Sequence, residues 1–330
     1  MVEEKTTMIQ KNKFAVGVDL GATTVKVGIV SPVGGIIDQF SADAKAGKGP
    51  VVVIQQIIFS VQELLSRRKI SDCLGIGIGC PGVVSTFDGT VQHPPNFANW
   101  TKVDVAKEIR REFKIPVFIE NDANCAAIAE ARYGAGIEFK DFLFVIWGTG
   151  VGGGIILDRK IFRGPHGGAG EIGHISIDYN GRQCNCGNFG CIESYIGQRY
   201  LSQRTKELLQ ARVRDGSRSI LETLVDGNYD KIEPVLISQA AEQGDSIAIN
   251  ILTEAGELLG SALASILNVL DLRVVVIGGG ISAAPAFVYE SIIQSVRSRI
   301  LKPHKEGVRV IRAKLGNSAG LVGAASLVLS

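Results

Sequence analysis

The stretch of sequence that decides the fold is residues 14–30, FAVGVDLGATTVKVGIV. An apolar segment over 14–20 leads through small residues at 21–24 into a second apolar segment, which predicts a β-hairpin. The same pattern recurs at residues 142–157, FLFVIWGTGVGGGIIL, again with a Gly/Thr turn between two strands. We interpret this recurrence as a weak internal repeat, which predicts two lobes of similar topology.

The rest of the chain alternates between strand and helix patterns, which predicts a largely parallel sheet in each lobe. Further strands are expected at residues 36–40, 74–79, 116–120, 272–277 and 308–313. Helices are expected at residues 50–69, 102–113, 123–133, 246–270, 285–301 and 319–329, and residues 197–270 are expected to be mostly helical. The predicted fold class is therefore α/β.

Composition excludes several function classes. A chain of 330 residues that is 45% hydrophobic can bury a large core, and its length favours two lobes. The 35 basic residues nearly balance the 33 acidic ones, so no strong overall field would attract nucleic acid or a membrane. Residues 1–13 lack the apolar core of an export signal, and the apolar runs are interrupted before they reach a membrane span.

The cysteines fall into two groups. Cys73, Cys80 and Cys125 lie in apolar stretches and are expected to be small core residues. The other three belong to a compact motif. This usage is typical of a reducing compartment, so we expect a cytoplasmic protein.

That compact motif consists of His174 followed by Cys184, Cys186 and Cys191. One imidazole and three close thiols form a complete ligand set for a closed, structural zinc site. A disulfide, unpaired thiols and an iron–sulfur cluster are the alternatives. Glu171 lies shortly before the histidine, and Glu193 lies shortly after the last cysteine. A metal ion here would fix two carboxylates in space without itself offering an open position.

Three glycine-rich turns follow predicted strands, at residues 19–24 (DLGATT), 147–154 (WGTGVGGG) and 277–282 (IGGGIS). Backbone N–H groups in such turns can bind phosphate, and a carboxylate such as Asp19 can hold magnesium. None has the Walker spacing or a complete dinucleotide-binding pattern. Each alone could also be an ordinary tight turn.

A carboxylate also stands where the strand at 116–120 meets the following helix, in Glu120-Asn121-Asp122. Asp122 could be the N-cap of that helix. It could equally be a general base, because ligands of α/β folds bind at the carboxyl ends of strands. The spacing leaves both interpretations open.

With these residues identified, the chain resembles the ROK family of sugar kinases, of the bacterial glucokinase type. The most specific match is GGAGEIGH at 167–174 followed by CNCGNFGCIE at 184–193. The resemblance implies a two-lobed actin/hexokinase-like (ribonuclease H-like) ATPase fold with an interlobe cleft. It implies a small lobe at 1–122 with a C-terminal helix at about 319–330, and a large lobe at 123–318 that carries the zinc loop.

The resemblance also implies roles for individual residues. Asp122 would be the catalytic base. The sugar ligands would be Gly82, Asn96, Asn121, Asp122, Glu171, His174 and Glu193. ATP and Mg²⁺ would be bound by Asp19, Gly21, Thr23, Thr24, Gly148, Thr149, Gly150, Gly152, Gly153, Gly278, Gly279 and Gly280. Structural Zn²⁺ would be bound by His174, Cys184, Cys186 and Cys191.

The sequence departs from the family pattern at three positions. Ala22 replaces the second glycine of the first turn, and Thr24 replaces a lysine or similar polar residue. Alanine fits there if its φ is negative. Ser85 stands where the family has Asp or Asn, close to Gly82.

The leading functional expectation is an ATP:hexose 6-phosphotransferase with glucose as substrate, a glucokinase. N-acetylmannosamine kinase is the nearest enzyme alternative, and fructose or polyphosphate-dependent variants follow. The family also contains sugar-responsive transcriptional repressors, but only 18 residues precede Asp19, fewer than a DNA-binding domain needs. A homodimer or dimer of dimers is expected from the resemblance, without nucleic acid or membrane as partner.

Overall fold

The computed structural model describes residues 13–213 and 219–329, so the expectation of no export signal before residue 13 lies outside the described residues. The strands are β1 (Phe14–Leu20), β2 (Thr24–Val30), β3 (Ile36–Asp43), β4 (Cys73–Cys80), β5 (Val83–Ser85), β6 (Thr90–Gln92), β7 (Lys102–Asp104), β8 (Val117–Asn121), β9 (Phe142–Trp147), β10 (Val151–Leu157), β11 (Lys160–Phe162), β12 (Val274–Gly278) and β13 (Arg309–Arg312). The α-helices are α1 (Pro50–Leu65), α2 (Val105–Phe113), α3 (Asp122–Tyr133), α4 (Glu193–Ile196), α5 (Gln198–Val213), α6 (Ile220–Leu224), α7 (Pro234–Glu242), α8 (Ser246–Leu270), α9 (Ala286–Arg299) and α10 (Ala319–Ser326).

Two five-stranded sheets share one strand order. The first is β3-β2-β1-β4-β8, and the second is β11-β10-β9-β12-β13. In the first sheet, β1 pairs antiparallel with β2 and parallel with β4. In the second, β10 pairs antiparallel with β11, while β12 is parallel to β9 and β13. The internal repeat predicted from the two strand–turn–strand segments is thus confirmed.

The chain forms two compact units. One contains the described parts of Met1–Lys140, Gly154–Gly170 and Lys314–Ser330, and the other contains Asp141–Gly153 and the described parts of Glu171–Ala313. Helix α3 therefore belongs to the first unit as a whole, although the predicted lobe boundary lies at its first residue. The predicted lobe limits stay a prediction.

The C-terminal helix α10 packs directly on the first sheet. Gly17 in β1 and Gly77 in β4 face its backbone so closely that an added Cβ would collide with the carbonyl oxygens of Leu321 and Ala324. Because both positions are glycine, the backbone of the helix can lie in direct contact with the backbone of the sheet. The small residues of α10 serve the same close packing.

Three features differ from the expectations. The predicted helix at 102–113 begins only at Val105, because residues 102–104 form β7 and Asp104 caps the helix by accepting the N–H of Lys107. Strands β5, β6 and β7 form a separate three-stranded sheet that no sequence pattern indicated. Short strands of three residues give no measurable alternation.

Helix α8 is the third difference, because we expected no apolar run of membrane-spanning length. Among the described residues, it is the one helix with the length and composition of a membrane span. However, 61% of its most apolar window is buried inside the protein. Gly256 and Gly260 lie against the backbone of α9 at Val288 and Ile292. The helix therefore has the packing of a core element.

Candidate functional site

The first predicted phosphate turn joins β1 to β2 in the first unit. The N–H of Gly21 donates to the carbonyl of Thr24 at 2.9 Å, and the carbonyl of Thr23 accepts the N–H of Ala44 at 2.9 Å. Ala22 is not among the described residues with positive φ, so its methyl group is tolerated in this turn. The departure from the family's second glycine therefore leaves the turn intact.

Asp19 lies at the end of β1, beside this turn. Its cross-strand partner is Lys26, whose Nζ lies 4.0 Å from Asp19 Oδ2. Burial raises the pKa of Asp19, and the charge of Lys26 partly opposes that rise. At Gly320, near the start of α10, an added Cβ would lie about 3.1 Å from both carboxylate oxygens. The carboxylate is thus confined between a strand end and a helix start.

The junction of β8 and α3 places Asn121 and Asp122 at the carboxyl end of a sheet strand. Asn121 is the N-cap: its Oδ1 accepts the N–H groups of Ala123 at 2.9 Å and Asn124 at 3.2 Å. Asp122 is the first helical residue, and its Oδ1 lies 2.8 Å from the N–H of Ala123. The alternative interpretation of Asp122 as the N-cap is therefore wrong, because the preceding amide side chain fills that position.

Glu120 and Arg163 support this junction, and sequence reasoning gave neither a role. Glu120 is 1% exposed. Its Oε1 accepts the N–H of Asn121 at 2.9 Å and the side-chain amide of Asn124 at 3.0 Å, while its Oε2 accepts Nε of Arg163 at 2.6 Å. The buried carboxylate is thus fully paired and fixes the backbone just before Asp122. No short motif marks Arg163, because it lies 43 residues from its partner.

Gly82, another predicted sugar ligand, lies beside Asn121. The side-chain amide of Asn121 donates to the carbonyl of Gly82 at 3.3 Å. Gly82 has φ +87°, and an added Cβ would lie 2.8 Å from the carbonyl oxygen of Gln92, so only glycine fits. Asn96 lies in the loop between β6 and β7, exposed and with φ 68°. Its predicted role stays a prediction.

The second unit brings together the four predicted metal ligands. The ligand atoms of His174, Cys184, Cys186 and Cys191 all lie within 4.8 Å of one another. Cys186 Sγ is 3.7 Å from Cys191 Sγ, and Cys184 Sγ is 3.8 Å from His174 Nδ1. Zn–S bonds of about 2.3 Å in a tetrahedron place sulfurs about 3.8 Å apart, so the cluster fits zinc.

The three thiols of this cluster differ in the direction in which their pKa is shifted. Burial, followed by the neighbouring sulfurs of Cys186 and Cys184, raises the pKa of Cys191 to about 12. Burial also raises the pKa of Cys184. For Cys186, burial acts in the same direction, but the N–H of Asn188 and the two other thiols lower its pKa below the ordinary value. A dication is what would hold all three as thiolates. All six cysteines of the chain are free, so the disulfide alternative is not adopted here.

The second predicted phosphate turn contacts Glu193, the first residue of α4. Glu193 Oε2 accepts the N–H of Val151 at 2.9 Å, and an added Cβ at Gly150 would collide with the same oxygen. The N–H of Gly148 donates to the carbonyl of Gly150 at 3.0 Å, which closes the turn. A predicted sugar ligand and a predicted phosphate turn therefore touch, a contact that no sequence spacing indicated.

The third glycine turn lies beside the second. An added Cβ at Gly148 would lie 3.7 Å from the backbone nitrogen of Gly280, and one at Gly279, which has φ +88°, would collide with the carbonyl of Trp147. Gly278 ends β12, the strand next to β9. Two of the three predicted phosphate turns thus share one edge of the second sheet.

The remaining predicted residues occupy the elements around these turns. Gly152 and Gly153 lie within β10, after the turn itself. Glu171 is exposed and precedes the 3₁₀ turn Ile172–His174, where its carbonyl accepts the N–H of His174 at 3.2 Å. Because Nδ1 of His174 faces Cys184, its Nε2 is the nitrogen left for another partner.

Comparison with known proteins adds three findings. The ROK family pattern matches residues 15–330. A glucokinase of Halalkalibacterium halodurans is 33% identical over 323 residues, covering 96% of this chain and 95% of that protein. A xylose repressor of Caldicellulosiruptor bescii is 29% identical over 331 residues, covering 99% of this chain and 81% of that protein.

Among solved structures, a ROK family glucokinase from Streptomyces griseus in complex with glucose and AMPPNP has a TM-score of 0.82 and 33% identity. The alignment covers 95% of this chain and 98% of that chain. This likeness confirms the predicted actin/hexokinase-like α/β fold.

Proposed function

Because the chain belongs to the ROK family, we propose that it is a sugar kinase that transfers the γ-phosphate of ATP to the 6-hydroxyl of glucose. The glucokinase of H. halodurans and the S. griseus glucokinase structure with glucose and AMPPNP support this proposal. The observation that carries it is the β8–α3 junction. Asn121 caps α3, and Asp122 follows it as the first helical residue, which puts a carboxylate at the carboxyl end of a sheet strand.

In this proposal Asp122 accepts the proton of the attacking hydroxyl at the carboxyl end of β8. Asn121, held by its cap bonds and by the carbonyl of Gly82, orients the sugar beside the base. The backbone N–H groups of the glycine turns bind phosphate oxygens. Asp19 would hold the magnesium that enters with ATP, and this ion would supply positive charge against the phosphates.

Zinc in this proposal is structural. His174, Cys184, Cys186 and Cys191 would hold it, and the ion would supply a fixed charge that keeps the loop ordered. The loop ends at Glu193, two residues after Cys191, and Glu193 holds Val151 in the second turn. The metal loop would thereby position both a sugar ligand and a phosphate turn.

A coupled ADP-release assay tests the proposal with glucose, mannose, N-acetylmannosamine, N-acetylglucosamine and fructose, and with polyphosphate in place of ATP. Glucose is expected to give the highest kcat/KM, with ATP as donor. A clear preference for N-acetylmannosamine would replace the substrate but keep the sugar-kinase assignment. No sugar-dependent ADP release from any hexose would contradict the assignment.

A sugar-responsive repressor is the second candidate, because the C. bescii xylose repressor aligns with 99% of this chain. Calorimetry with glucose and xylose separates the two functions. A repressor binds a sugar without turnover, whereas the proposed kinase binds glucose and consumes ATP. We further propose a cytoplasmic homo-oligomer, and light scattering of the purified protein tests its assembly.

A further inference from the structure

The first unit contains a cavity that the proposed reaction does not use. It has a volume of about 630 Å³ and is lined by parts of β8, α2, α3 and the β10–β11 hairpin. Its inner wall includes Ile119 and Ile156, which are almost fully buried. A volume of this size is in the range of small-molecule binding sites.

The charge around this cavity is one-sided. Its lining includes one acidic residue, Asp88, and five basic ones: Arg110, Arg132, Arg159, Lys160 and Arg163. The whole chain, by contrast, has 35 basic and 33 acidic residues. The concentration of positive charge is therefore a local property of this cavity.

Three of the arginines are held by hydrogen bonds to backbone carbonyls, which leave their positive charge uncompensated. Arg110 donates to the carbonyl of Val117 at 3.2 Å, Arg132 to that of Ser326 at 2.9 Å, and Arg159 to that of Ile137 at 3.0 Å. None of the three takes part in an ion pair among the described residues. A guanidinium has five N–H donors, so each keeps donors for a ligand.

We propose that this cavity binds a small phosphorylated metabolite, a phosphomonoester whose phosphate is held by these arginines. The guanidinium group of arginine can donate two parallel hydrogen bonds to the oxygens of a phosphate. The two negative charges of the phosphate would compensate the positive charge of the three arginines, which form no ion pair with a carboxylate. The carbon skeleton of the ligand would lie against Ile119 and Ile156.

The cavity also has a physical link to the candidate active site. Arg163 lines the cavity and pairs with Glu120, which accepts the N–H of Asn121 next to Asp122. The negative charge of a phosphate held by Arg110, Arg132 and Arg159 would also act on Arg163, which belongs to the same cavity lining, and would weaken its pairing with Glu120. If the proposed kinase function holds, occupancy of the cavity therefore changes the rate of phosphoryl transfer.

Calorimetric titration of the full chain with glycerol 3-phosphate tests the site, with glycerol as the uncharged control. Arg110→Gln and Arg159→Gln should each raise the dissociation constant about tenfold, because each removes a charged donor. Arg111→Gln is the matched control, since Arg111 lies on the same helix, is 77% exposed and pairs with Glu108 outside the cavity lining. It should bind like the wild type.

Three results would overturn the proposal: no binding by the wild type, equal weakening by Arg111→Gln, or full displacement by glucose with AMPPNP, which would place the probe at the ATP site. If glycerol 3-phosphate binding depends on Arg110 and Arg159 but the protein phosphorylates no sugar, the cavity proposal is supported and the kinase proposal is contradicted. If the protein phosphorylates a sugar but does not bind glycerol 3-phosphate, the kinase proposal is supported and the cavity proposal is contradicted.

Discussion

The carboxylate of Glu193 accepts the N–H of Val151 at 2.9 Å, at the point where the Gly148–Gly150 turn enters β10. One oxygen of a predicted sugar ligand thus holds the backbone of a predicted phosphate turn. Because Glu193 follows Cys191 by two residues, the contact also connects the turn to the four candidate zinc ligands. Metal, sugar ligand and phosphate turn are therefore expected to respond together to substitutions.

Gly150→Ala tests this relationship. The added methyl group would collide with Glu193 Oε2 and displace it from Val151, while the backbone of the turn needs no positive φ there. We expect kcat/KM for glucose and for ATP to fall on the order of 10- to 100-fold, with little loss of thermal stability. Steady-state kinetics at varied glucose and varied ATP measure both constants.

Gly148→Ala is the matched control in the same turn. Its added Cβ would have its nearest neighbour at 3.7 Å, an ordinary contact. Because Gly148 belongs to the same predicted phosphate turn, a smaller fall in kcat/KM than for Gly150→Ala is expected for this variant. If both alanine variants were equally impaired, general rigidity of the turn rather than Glu193 would be responsible.

Asp122→Asn should lower turnover by about 100-fold or more, because the amide cannot accept the proton of the sugar hydroxyl. Glucose affinity and the melting temperature should change little, since Asn121 provides the helix cap. Asn121→Ala should instead cost roughly 0.5–2 kcal/mol of unfolding free energy. If Asp122→Asn keeps near wild-type turnover in the ADP-release assay, Asp122 is not the catalytic base.

The metal cluster should hold one zinc ion per chain after dialysis, measured by elemental analysis. Cys186→Ser should lose the zinc and weaken glucose binding at the same time, because the loop that ends at Glu193 loses its anchor. Cys73→Ser is the control, because Cys73 is buried, donates to the carbonyl of Gly75 and is not one of the four candidate zinc ligands. Active wild-type protein with no zinc would contradict a structural metal.

The sequence predicted the features that depend on local pattern. Apolar segments on both sides of the small-residue turns at 21–24 and 148–150 predicted both hairpins, and the ligand spacing from His174 to Cys191 predicted the cluster that the structure assembles. The roles of the individual site residues stay predictions. Local patterns suffice where neighbours in sequence are neighbours in space.

Features that depend on long-range contacts could not be predicted in this way. Arg163 meets Glu120 across 43 residues, and the Glu193–Val151 bond spans 42. The choice between Asn121 and Asp122 as the cap depends on one backbone dihedral, since Asn121 has φ −63° and ψ 144°. Both residue types are good caps, so their identity could not decide between them.

Asp19→Asn should separate stability from function. Burial raises the pKa of Asp19, so the folded protein favours the neutral carboxyl more than the unfolded chain does. The stability linked to that protonation is fully present below the ordinary pKa of 3.8 and is lost as the pH rises through the raised value. Above the raised pKa the native carboxylate is charged at a cost in stability, and asparagine removes that charge.

We therefore expect Asp19→Asn to melt at a higher temperature than the wild type at pH 8, with the difference vanishing as the pH falls to about 4. Its kinase rate should fall at every pH, because a neutral amide holds the magnesium of ATP poorly. Glu63→Gln, an exposed substitution on α1, should change neither the melting temperature nor the rate. A lower melting temperature for Asp19→Asn at pH 8 would mean that Lys26 contributes more than burial does, and that the carboxylate at the end of β1 is a structural ion pair.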